Sequence, residues 1–581
     1  MIYVERLRGC VGPIWLALTI IALAGGLVES AAALAGTYQL SVEESKRTVD
    51  GRSIDKLTIN GGIPGPTLRL KEGEDATITV TNQTDEATSV HWHGILLPGV
   101  MDGAPGFNGF RGIEPGQSYT YTFKIRQSGT YWYHSHTGTQ DQSVLGAIVI
   151  EPAKPTPFRT NRDYVVLFGD ITAEDSDAVL RNLKADPGYY NVNKRTLVDF
   201  AREAEAQGFG TALDDRLAWG EMRMDPTDLA DVTGYSFLTN GKTPEQNETF
   251  IFKKGERIRL RLINGSAMTF FDVRIPGLKM TVVAADGNDV NPLPVDEIRM
   301  GVAERYDVIV EPKEDKPYTL FAESIDRMGY ARATLASAEG QEGAIPERRP
   351  RALLTMADMG MAHDMAGMDH GEMTGMDHSK MAGMDHGAGA TDGVAAERSL
   401  GWAAGAPPGT KVLVYKDLRA FRKNADTAEP TRTITLRLTG NMERYVWTFD
   451  DVRFAEAKPI RVRFGERIRL SLVNETMMAH PMHLHGQFFE VENGQTDRKP
   501  LKDTVIVPPG QTVSVVLTAR EIGAWPLHCH LLYHMVSGMM TSFIVEPPGS
   551  AERAITPDGG KVSISPDKGG TGASHAGHGG S

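Results

Sequence analysis

The segment GERIRLSLVN, from Gly465 to Asn474, has two earlier copies in the chain. GERIRLRLIN runs from Gly255 to Asn264 and GEDATITVTN from Gly73 to Asn82, so the Asn always lies nine positions after the Gly. A spacing that recurs three times indicates one structural unit used three times. Alternating apolar and β-branched residues after a Gly turn are typical of strands. The sequence therefore predicts an all-β protein built from three related β-sandwich domains.

Histidines follow the first and third copies in pairs separated by one residue. The pairs are His91/His93, His134/His136, His483/His485 and His528/His530. Residues two apart on a strand project from the same face, so each pair can direct two imidazoles to one place. His91 and His483 both lie nine residues after the repeated Asn, where the middle copy has Val273. We therefore expect metal ligands from the first and third domains and none from the middle one.

Cys529 is the one thiol that we expect in the mature protein. The other cysteine, Cys10, lies in an N-terminal segment that has the features of an export signal, so no internal disulfide is expected. The alignment of the repeats places Ser135 at the position of Cys529 in the first domain, because each follows a Gly by six residues. Only the third domain can therefore form a thiolate metal site.

The residues around Cys529 predict a copper centre for electron transfer. Two histidines, the cysteine and a weak axial methionine form the ligand set of a blue-copper site. The candidates are His480, Cys529, His534 and Met539. Side chains alternate along a strand, so Cys529 points away from its neighbours His528 and His530. The thiolate would then be connected by a few covalent bonds to whatever those two imidazoles bind.

Eight further histidines form a second candidate site. They are His91, His93, His134, His136, His483, His485, His528 and His530. Eight imidazoles from two domains suit three copper ions with positions left open for oxygen. Of the 16 histidines, ten lie in these motifs, four in a Met-rich segment and two in the C-terminal tail, so none is left for ordinary core packing. That distribution favours metal binding over a set of unrelated buried histidines.

These motifs resemble those of the multicopper oxidase family over nearly the whole mature chain. The resemblance rests on HWHG from His91, YHSH ending at His136, HPMHLHG from His480, and the HCH motif with His534 and Met539. It implies three cupredoxin-like Greek-key domains, a type 1 copper in the third, and a trinuclear cluster between the first and third. It also implies four one-electron oxidations that reduce dioxygen to water.

The resemblance further implies a role for individual residues. His91 and His483 would hold the type 2 copper, and His534 would be the point where electrons enter. The type 3 pair would be held by His93, His134, His136, His485, His528 and His530. Asp102 matches the family's acid beside the type 2 copper, and its alternative is an ordinary Asp-Gly turn. Many relatives carry a second acid where this chain has Met535, which leaves a second proton route undefined.

A segment rich in methionine bears on the substrate. Met356–His386 contains nine Met and four His, with Met-Asp-His repeated at a period of eight residues. That period fits neither a helix nor a strand, and the segment is expected to be a mobile loop. Thioether sulfur selects Cu(I), so Cu(I) is the expected substrate. The repeats also resemble the bacterial copper-resistance branch of the family, of the CopA type, which implies a cuprous oxidase.

Two alternative functions use the same features. In the first, the protein is a laccase-like phenol oxidase in which the loop shields the entrance. In the second, it is a periplasmic protein that sequesters copper and turns over incidentally. A nucleic-acid partner is not expected, because 61 Lys and Arg against 74 Asp and Glu give a net charge of -13.

The N-terminus and composition predict export and the order of the domains. Arg6 and Arg8 precede an apolar run that ends near Val28, followed by small residues that favour cleavage near Ala35 and a periplasmic location without a membrane anchor. We expect a monomer. The predicted order is a signal peptide at 1–35, domain 1 at 36–155, domain 2 at 156–345 with a helical insertion near 175–231, a Met/His-rich loop and linker at 346–405, domain 3 at 406–548, and a disordered tail at 549–581.

Overall fold

The computed structural model describes residues 36–49, 51–140, 143–355, 358, 402 and 405–549. The predicted signal segment, nearly all of the Met-rich loop, and the tail from residue 550 onward lie outside these residues. Within the described ranges, no helix combines the length and the apolar character needed to cross a membrane. The division of the chain into domains at the stated boundaries stays a prediction.

The first copy of the repeat lies in a sandwich of two four-stranded sheets. Its strands are β1 Thr37–Val49, β2 Arg52–Ile59, β3 Leu68–Lys71, β4 Asp75–Asn82, β5 His91–His93, β6 Ser118–Lys124, β7 Gly129–His134 and β8 Leu145–Glu151. One sheet has the order β2-β1-β4-β6 and the other β3-β8-β7-β5. Buried positions alternate with exposed or half-buried ones along β4, as the sequence pattern predicted.

The middle copy lies in a second and larger sandwich. Its strands are β9 Arg162–Ile171, β10 Ser236–Thr239, β11 Glu248–Ile251, β12 Ile258–Asn264, β13 Phe271–Arg274, β14 Met280–Ala285, β15 Asn288–Val295, β16 Glu297–Met300, β17 Arg305–Val310, β18 Tyr318–Ser324 and β19 Tyr330–Ala336. The sheet orders are β10-β9-β12-β17-β14-β15 and β11-β19-β18-β13-β16.

The third copy lies in a sandwich of the same kind. Its strands are β20 Arg432–Asn441, β21 Val446–Phe449, β22 Ile460–Arg463, β23 Arg467–Asn474, β24 His480–Leu484, β25 Phe489–Val491, β26 Leu501–Lys502, β27 Thr504–Val507, β28 Thr512–Thr518, β29 Gly523–Cys529 and β30 Met540–Glu546. The sheet orders are β21-β20-β23-β28-β25-β26 and β22-β30-β29-β24-β27. The prediction of an all-β fold with three sandwiches is confirmed.

The repeated Asn has the same structural task in all three sandwiches. Asn82, Asn264 and Asn474 end their strands and are buried. The Asn474 amide donates to the carbonyl oxygens of Met478 and Val507, and its side-chain oxygen accepts from the Thr476 amide. The other two bind the corresponding groups in their own domains. Each Asn thus satisfies backbone groups of the loop that follows its strand. That loop leads to the position of His91, Val273 or His483, which explains why this position always lies nine residues after the Asn.

Helices interrupt the middle sandwich between β9 and β10, where the insertion was expected. They are α1 Ser176–Ala185, α2 Leu197–Gln207 and α3 Phe209–Glu221. Thr196 caps α2 in a reciprocal capping box with Asp199, which stabilises a helix that buries none of its own residues. α1 buries Val179 and Leu183 in the core that the middle and third domains share. A short helix α4, Leu532–Val536, follows the HCH motif.

Candidate metal centres

The structure brings Cys529, His480 and His534 together in the third domain. Cys529 Sγ lies 3.5 Å from His480 Nδ1 and 3.7 Å from His534 Nδ1, and the two Nδ1 atoms are 3.1 Å apart. All three residues are fully buried. Met539 is buried beside them, and its carbonyl oxygen accepts a hydrogen bond from the Cys529 amide. One thiol and two imidazole nitrogens that converge without a disulfide are a donor set for a soft, thiophilic metal.

The outer nitrogens of both imidazoles are held by polar partners. His480 Nε2 lies 2.7 Å from Thr476 Oγ1, and His534 Nε2 lies 2.7 Å from a carboxylate oxygen of Asp231. A proton on each Nε2 leaves each Nδ1 lone pair directed at the thiol. Trp447 stacks on His534 at 3.9 Å between ring centroids and 24° between planes. These contacts fix both rings in an orientation that suits metal binding.

Asp231 was not found by sequence reasoning. It lies after α3 in the middle domain, is buried, and also accepts a 2.6 Å hydrogen bond from the Tyr445 hydroxyl of the third domain. A lone acid in a predicted insertion has no fixed spacing to a ligand.

The eight paired histidines form one buried group between the first and third domains. β5 pairs with β7 so that His91 faces His134, and β24 pairs with β29 so that His483 faces His528. Rings from the two domains then interleave, with centroids 3.9 Å apart for His91 and His485 and 3.8 Å for His93 and His483. His528 Nε2 lies 3.4 Å from His136 Nε2 of the first domain and 3.1 Å from His485 Nε2.

Several ring nitrogens in this group are buried without a hydrogen-bond partner. They are Nε2 of His91 and His483, Nδ1 of His93, and both nitrogens of His530. The opposite nitrogens are held: His91 Nδ1 lies 2.8 Å from the Asp102 carbonyl oxygen and His483 Nδ1 lies 2.9 Å from that of Asp503. Buried polar atoms without partners are costly unless an ion or water satisfies them. The residues present therefore fit a set of imidazole-ligated metal ions.

The environment keeps most of these imidazoles neutral. Burial is the largest cause, and repulsion between neighbouring imidazoles adds to it, so that the pKa of His136 falls to about 3 and those of His483 and His528 lie well below their ordinary value. Burial also raises the pKa of the Cys529 thiol. Neutral imidazole is the form that binds metal, whereas the thiol must exchange its proton for the metal.

Cys529 lies between the two sites, as the alternation along β29 predicted. His528 and His530 join the eight-histidine group, and the Cys529 side chain joins His480 and His534. The Cys529 carbonyl oxygen also accepts a 2.8 Å hydrogen bond from His528 Nδ1. Covalent bonds and this hydrogen bond both connect the thiol to the eight-histidine group.

Two buried acids hold histidines across the interface between the first and third domains. Asp102 of the first domain has Oδ2 2.9 Å from His485 Nδ1 of the third. Asp503 of the third domain has Oδ1 3.3 Å from His93 Nε2 of the first. Asp102 also sits in a tight turn, since Gly103 has φ of 82° and an added Cβ would lie 1.8 Å from the Val90 carbonyl oxygen. Asp102 is thus a buried acid beside the histidines that also lies in a turn, and its role as a proton donor stays a prediction.

Asp503 was missed because the loop lengths differ. Asp102 follows His91 by 11 residues and Asp503 follows His483 by 20, so the repeat alignment does not place them together. Met535 is buried in the third-domain core. Asp503, rather than a residue near Met535, is the second acid beside the eight histidines.

Comparison with known proteins gives one consistent result. Three profiles described as multicopper oxidase match residues 41–155, 187–340 and 427–549. Copper resistance protein A of Escherichia coli is 48% identical, covering 89% of this chain and 94% of that protein. Copper resistance protein A of Pseudomonas syringae pv. tomato is 47% identical, covering 88% and 93%. Multicopper oxidase MmcO of Mycobacterium tuberculosis is 31% identical, covering 87% and 86%.

Solved structures share the fold at low sequence identity. Fet3p, a multicopper oxidase that functions in iron import, superposes with a TM-score of 0.63 at 18% identity, covering 88% of this chain and 90% of that one. The laccase of Botrytis aclada gives 0.63 at 20% identity, covering 88% of each. The predicted cupredoxin-like architecture is confirmed by these neighbours.

Proposed function

Because this chain belongs to the multicopper oxidase family, we propose that it oxidises Cu(I) at the Cys529 site and reduces dioxygen to water at the eight-histidine site. The main support for Cu(I) as the substrate is the Asp231 carboxylate, which binds the outer nitrogen of His534. We further propose that the role is copper resistance in the periplasm, by analogy with relatives named for copper resistance.

Four copper ions would account for the donor atoms. A type 1 copper would be held by Cys529, His480 and His534 with Met539, a type 2 copper by His91 and His483, and a type 3 pair by the other six histidines. Bound copper supplies one-electron redox chemistry at the thiolate site and dioxygen reduction at the cluster. The protein's own residues keep the imidazoles neutral, fix their orientation and exclude water from both sites.

The surroundings of His534 favour a metal ion over a phenol as electron donor. His534 is fully buried, stacked under Trp447 and hydrogen-bonded to Asp231, so a phenol ring has no open imidazole edge to contact. Asp228, three residues before Asp231, is also buried. Each carboxylate has one oxygen without a hydrogen-bond partner.

Two neighbouring buried acids attract a cation. Burial and then the charge of Asp231 raise the pKa of Asp228 well above its ordinary value, which shows that a second negative charge is unfavourable there. A cation bound between the two carboxylates would remove that penalty. Met222 and Met224 lie in the same segment, half-buried, and supply thioethers of the kind that select Cu(I). An electron from such an ion would reach Cys529 through Asp231 and His534.

The expected effect of Asp231→Asn is selective. Because the amide keeps an oxygen acceptor for His534 but removes the charge, kcat/KM for Cu(I) should fall about 10- to 100-fold, and oxidation of a small phenol should change much less. Steady-state oxygen uptake by the copper-loaded full chain measures both. Asp214→Asn, which neutralises an exposed acid on α3, is the matched control and should leave both rates unchanged. Equal losses for Cu(I) and the phenol would show that Asp231 only tunes the thiolate site, and would overturn the assignment.

A further inference from the structure

Arg305, the first residue of β17 in the middle domain, reaches the eight-histidine group although its own domain supplies no ligand. The side chain is fully buried. Its guanidinium binds the Asp503 carboxylate through two parallel hydrogen bonds, Nη1 to Oδ1 at 2.8 Å and Nη2 to Oδ2 at 2.5 Å. Nη1 also donates to the Ala303 carbonyl oxygen at 2.9 Å. A bidentate pair of this kind fixes the plane of the carboxylate.

Asp503 transmits that orientation to a histidine of each ligand-bearing domain. Its carboxylate lies 3.3 Å from His93 Nε2, and its carbonyl oxygen lies 2.9 Å from His483 Nδ1. The rings of His93 and His483 stack on one another at 3.8 Å. The partnerless nitrogens of these two rings, His93 Nδ1 and His483 Nε2, are then the ones left to bind metal.

A glycine of the first domain lies against the ion pair of Arg305 and Asp503. Gly94, directly after His93, has φ of 79°, and an added Cβ would lie 2.4 Å from Asp503 Oδ2 and 2.8 Å from Arg305 Nη2. A side chain at position 94 would therefore displace the ion pair or the strand end that carries His93. Gly94, Arg305 and Asp503 come from the three different domains and meet at one point.

Stability alone does not account for a buried ion pair here. Removing two charges from water costs about as much as their attraction returns, and well-packed apolar residues often serve equally well. Burial raises the pKa of Asp503, but Arg305, His483 and Thr504 together hold that pKa below its ordinary value. Asp102, the corresponding acid on the other side of the cluster, has no arginine partner among the described residues, and its Oδ1 is without a hydrogen bond. Within the described part of the chain, the two acids therefore differ in that only Asp503 is held by an arginine.

We propose that Arg305 is a positioning residue for the trinuclear copper site: through Asp503 it fixes which nitrogens of His93 and His483 face the metals. The proposal rests on the proposed function, because it requires copper in the eight-histidine group. Arg305 contacts neither a metal-facing nitrogen nor the thiolate site, so its effect should be confined to the cluster.

The first test replaces Arg305 in the copper-loaded full chain and measures copper content and the EPR spectrum. We expect Arg305→Gln to raise the copper concentration needed to fill the eight-histidine site about 10- to 100-fold and to alter the EPR signal of imidazole-bound copper, with the blue absorption of the thiolate site retained. Arg305→Lys should be intermediate, since lysine restores charge without the bidentate geometry. Arg299→Gln is the matched control, because Arg299 makes a similar bidentate pair with the buried Asp272 elsewhere in the middle domain.

A second pair of variants decides the matter if Arg305→Gln does not fold. Gly94→Ala and Gly109→Ala impose the same backbone strain, with φ of 79° and 80°, but Gly109 has open space around it. We expect only Gly94→Ala to change the EPR signal of the cluster. Cluster spectra equal to wild type in both Arg305→Gln and Gly94→Ala would overturn the proposal. A wild-type chain without imidazole-bound copper would instead refute the proposed function.

Discussion

We expect Cys529→Ser to remove the blue absorption and to stop Cu(I)-dependent oxygen uptake, while copper remains bound at the eight-histidine site. The serine hydroxyl is a hard, weakly acidic ligand and does not replace a soft thiolate for copper. The connection between the two sites runs through this residue, since His528 and His530 flank it and its carbonyl oxygen binds His528. Loss of the thiolate therefore breaks electron delivery without removing any of the eight imidazoles.

Absorption spectra, copper content and oxygen uptake of the purified variant test this expectation. Ser135→Cys is the matched control, because Ser135 occupies the equivalent position in the first domain. The Ser135 hydroxyl is hydrogen-bonded to the Gln140 side chain and the Thr137 amide rather than to imidazoles, so an added thiol there should create no second blue site. A blue and active Cys529→Ser protein would refute the assignment of the thiolate centre.

The second large effect is expected at Asp102. Reduction of dioxygen to water consumes protons, and Asp102 is a buried carboxyl 2.9 Å from His485 with one oxygen free of hydrogen bonds. Asp102→Asn keeps an oxygen that can accept the hydrogen bond of His485 but cannot carry a proton. We expect the rate of reoxidation by dioxygen to fall about 10²- to 10⁴-fold, the range typical for loss of a general acid.

Stopped-flow absorption separates the two half-reactions of this variant. Anaerobic addition of Cu(I) should bleach the blue band at the wild-type rate, because Asp102 lies away from Asp231 and His534. Return of the blue band on mixing with oxygen should be slow. Wild-type reoxidation with full copper content would show that Asp102 supplies no proton, and loss of copper would show that its role is to hold His485.

The fold and the convergence of the candidate copper ligands could be predicted because both depend on fixed local spacing. The turn glycine and the terminal Asn of each repeat are nine residues apart because a strand of set length joins them. His91 and His483 follow that Asn at the same distance and therefore occupy the same position in their sandwiches. The alternation of side chains along β29 then separates Cys529 from His528 and His530. The helical pattern of α2 is likewise local and interrupts the run of strands, so the insertion was recognisable.

Residues that act across domains could not be predicted in this way. Asp231, Asp503 and Arg305 are each brought to the sites by loops or strand ends of different length in each domain, and a single acid or arginine has no periodicity. Two of the three come from the middle domain, which carries Val273 where the others carry a ligand. That domain contributes Asp231 to the thiolate site and Arg305 to the eight-histidine site, and it is therefore part of both centres.

The ratio of Cu(I) oxidised to dioxygen consumed shows whether electrons from Cu(I) reduce dioxygen fully to water. The measurement uses the copper-loaded full chain, with the rate of the Cys529→Ser protein subtracted to remove spontaneous oxidation. We expect four Cu(I) ions oxidised for each dioxygen, with water as the product and no hydrogen peroxide. Two Cu(I) ions per dioxygen with release of hydrogen peroxide, or oxygen uptake no faster than that of Cys529→Ser, would contradict that expectation.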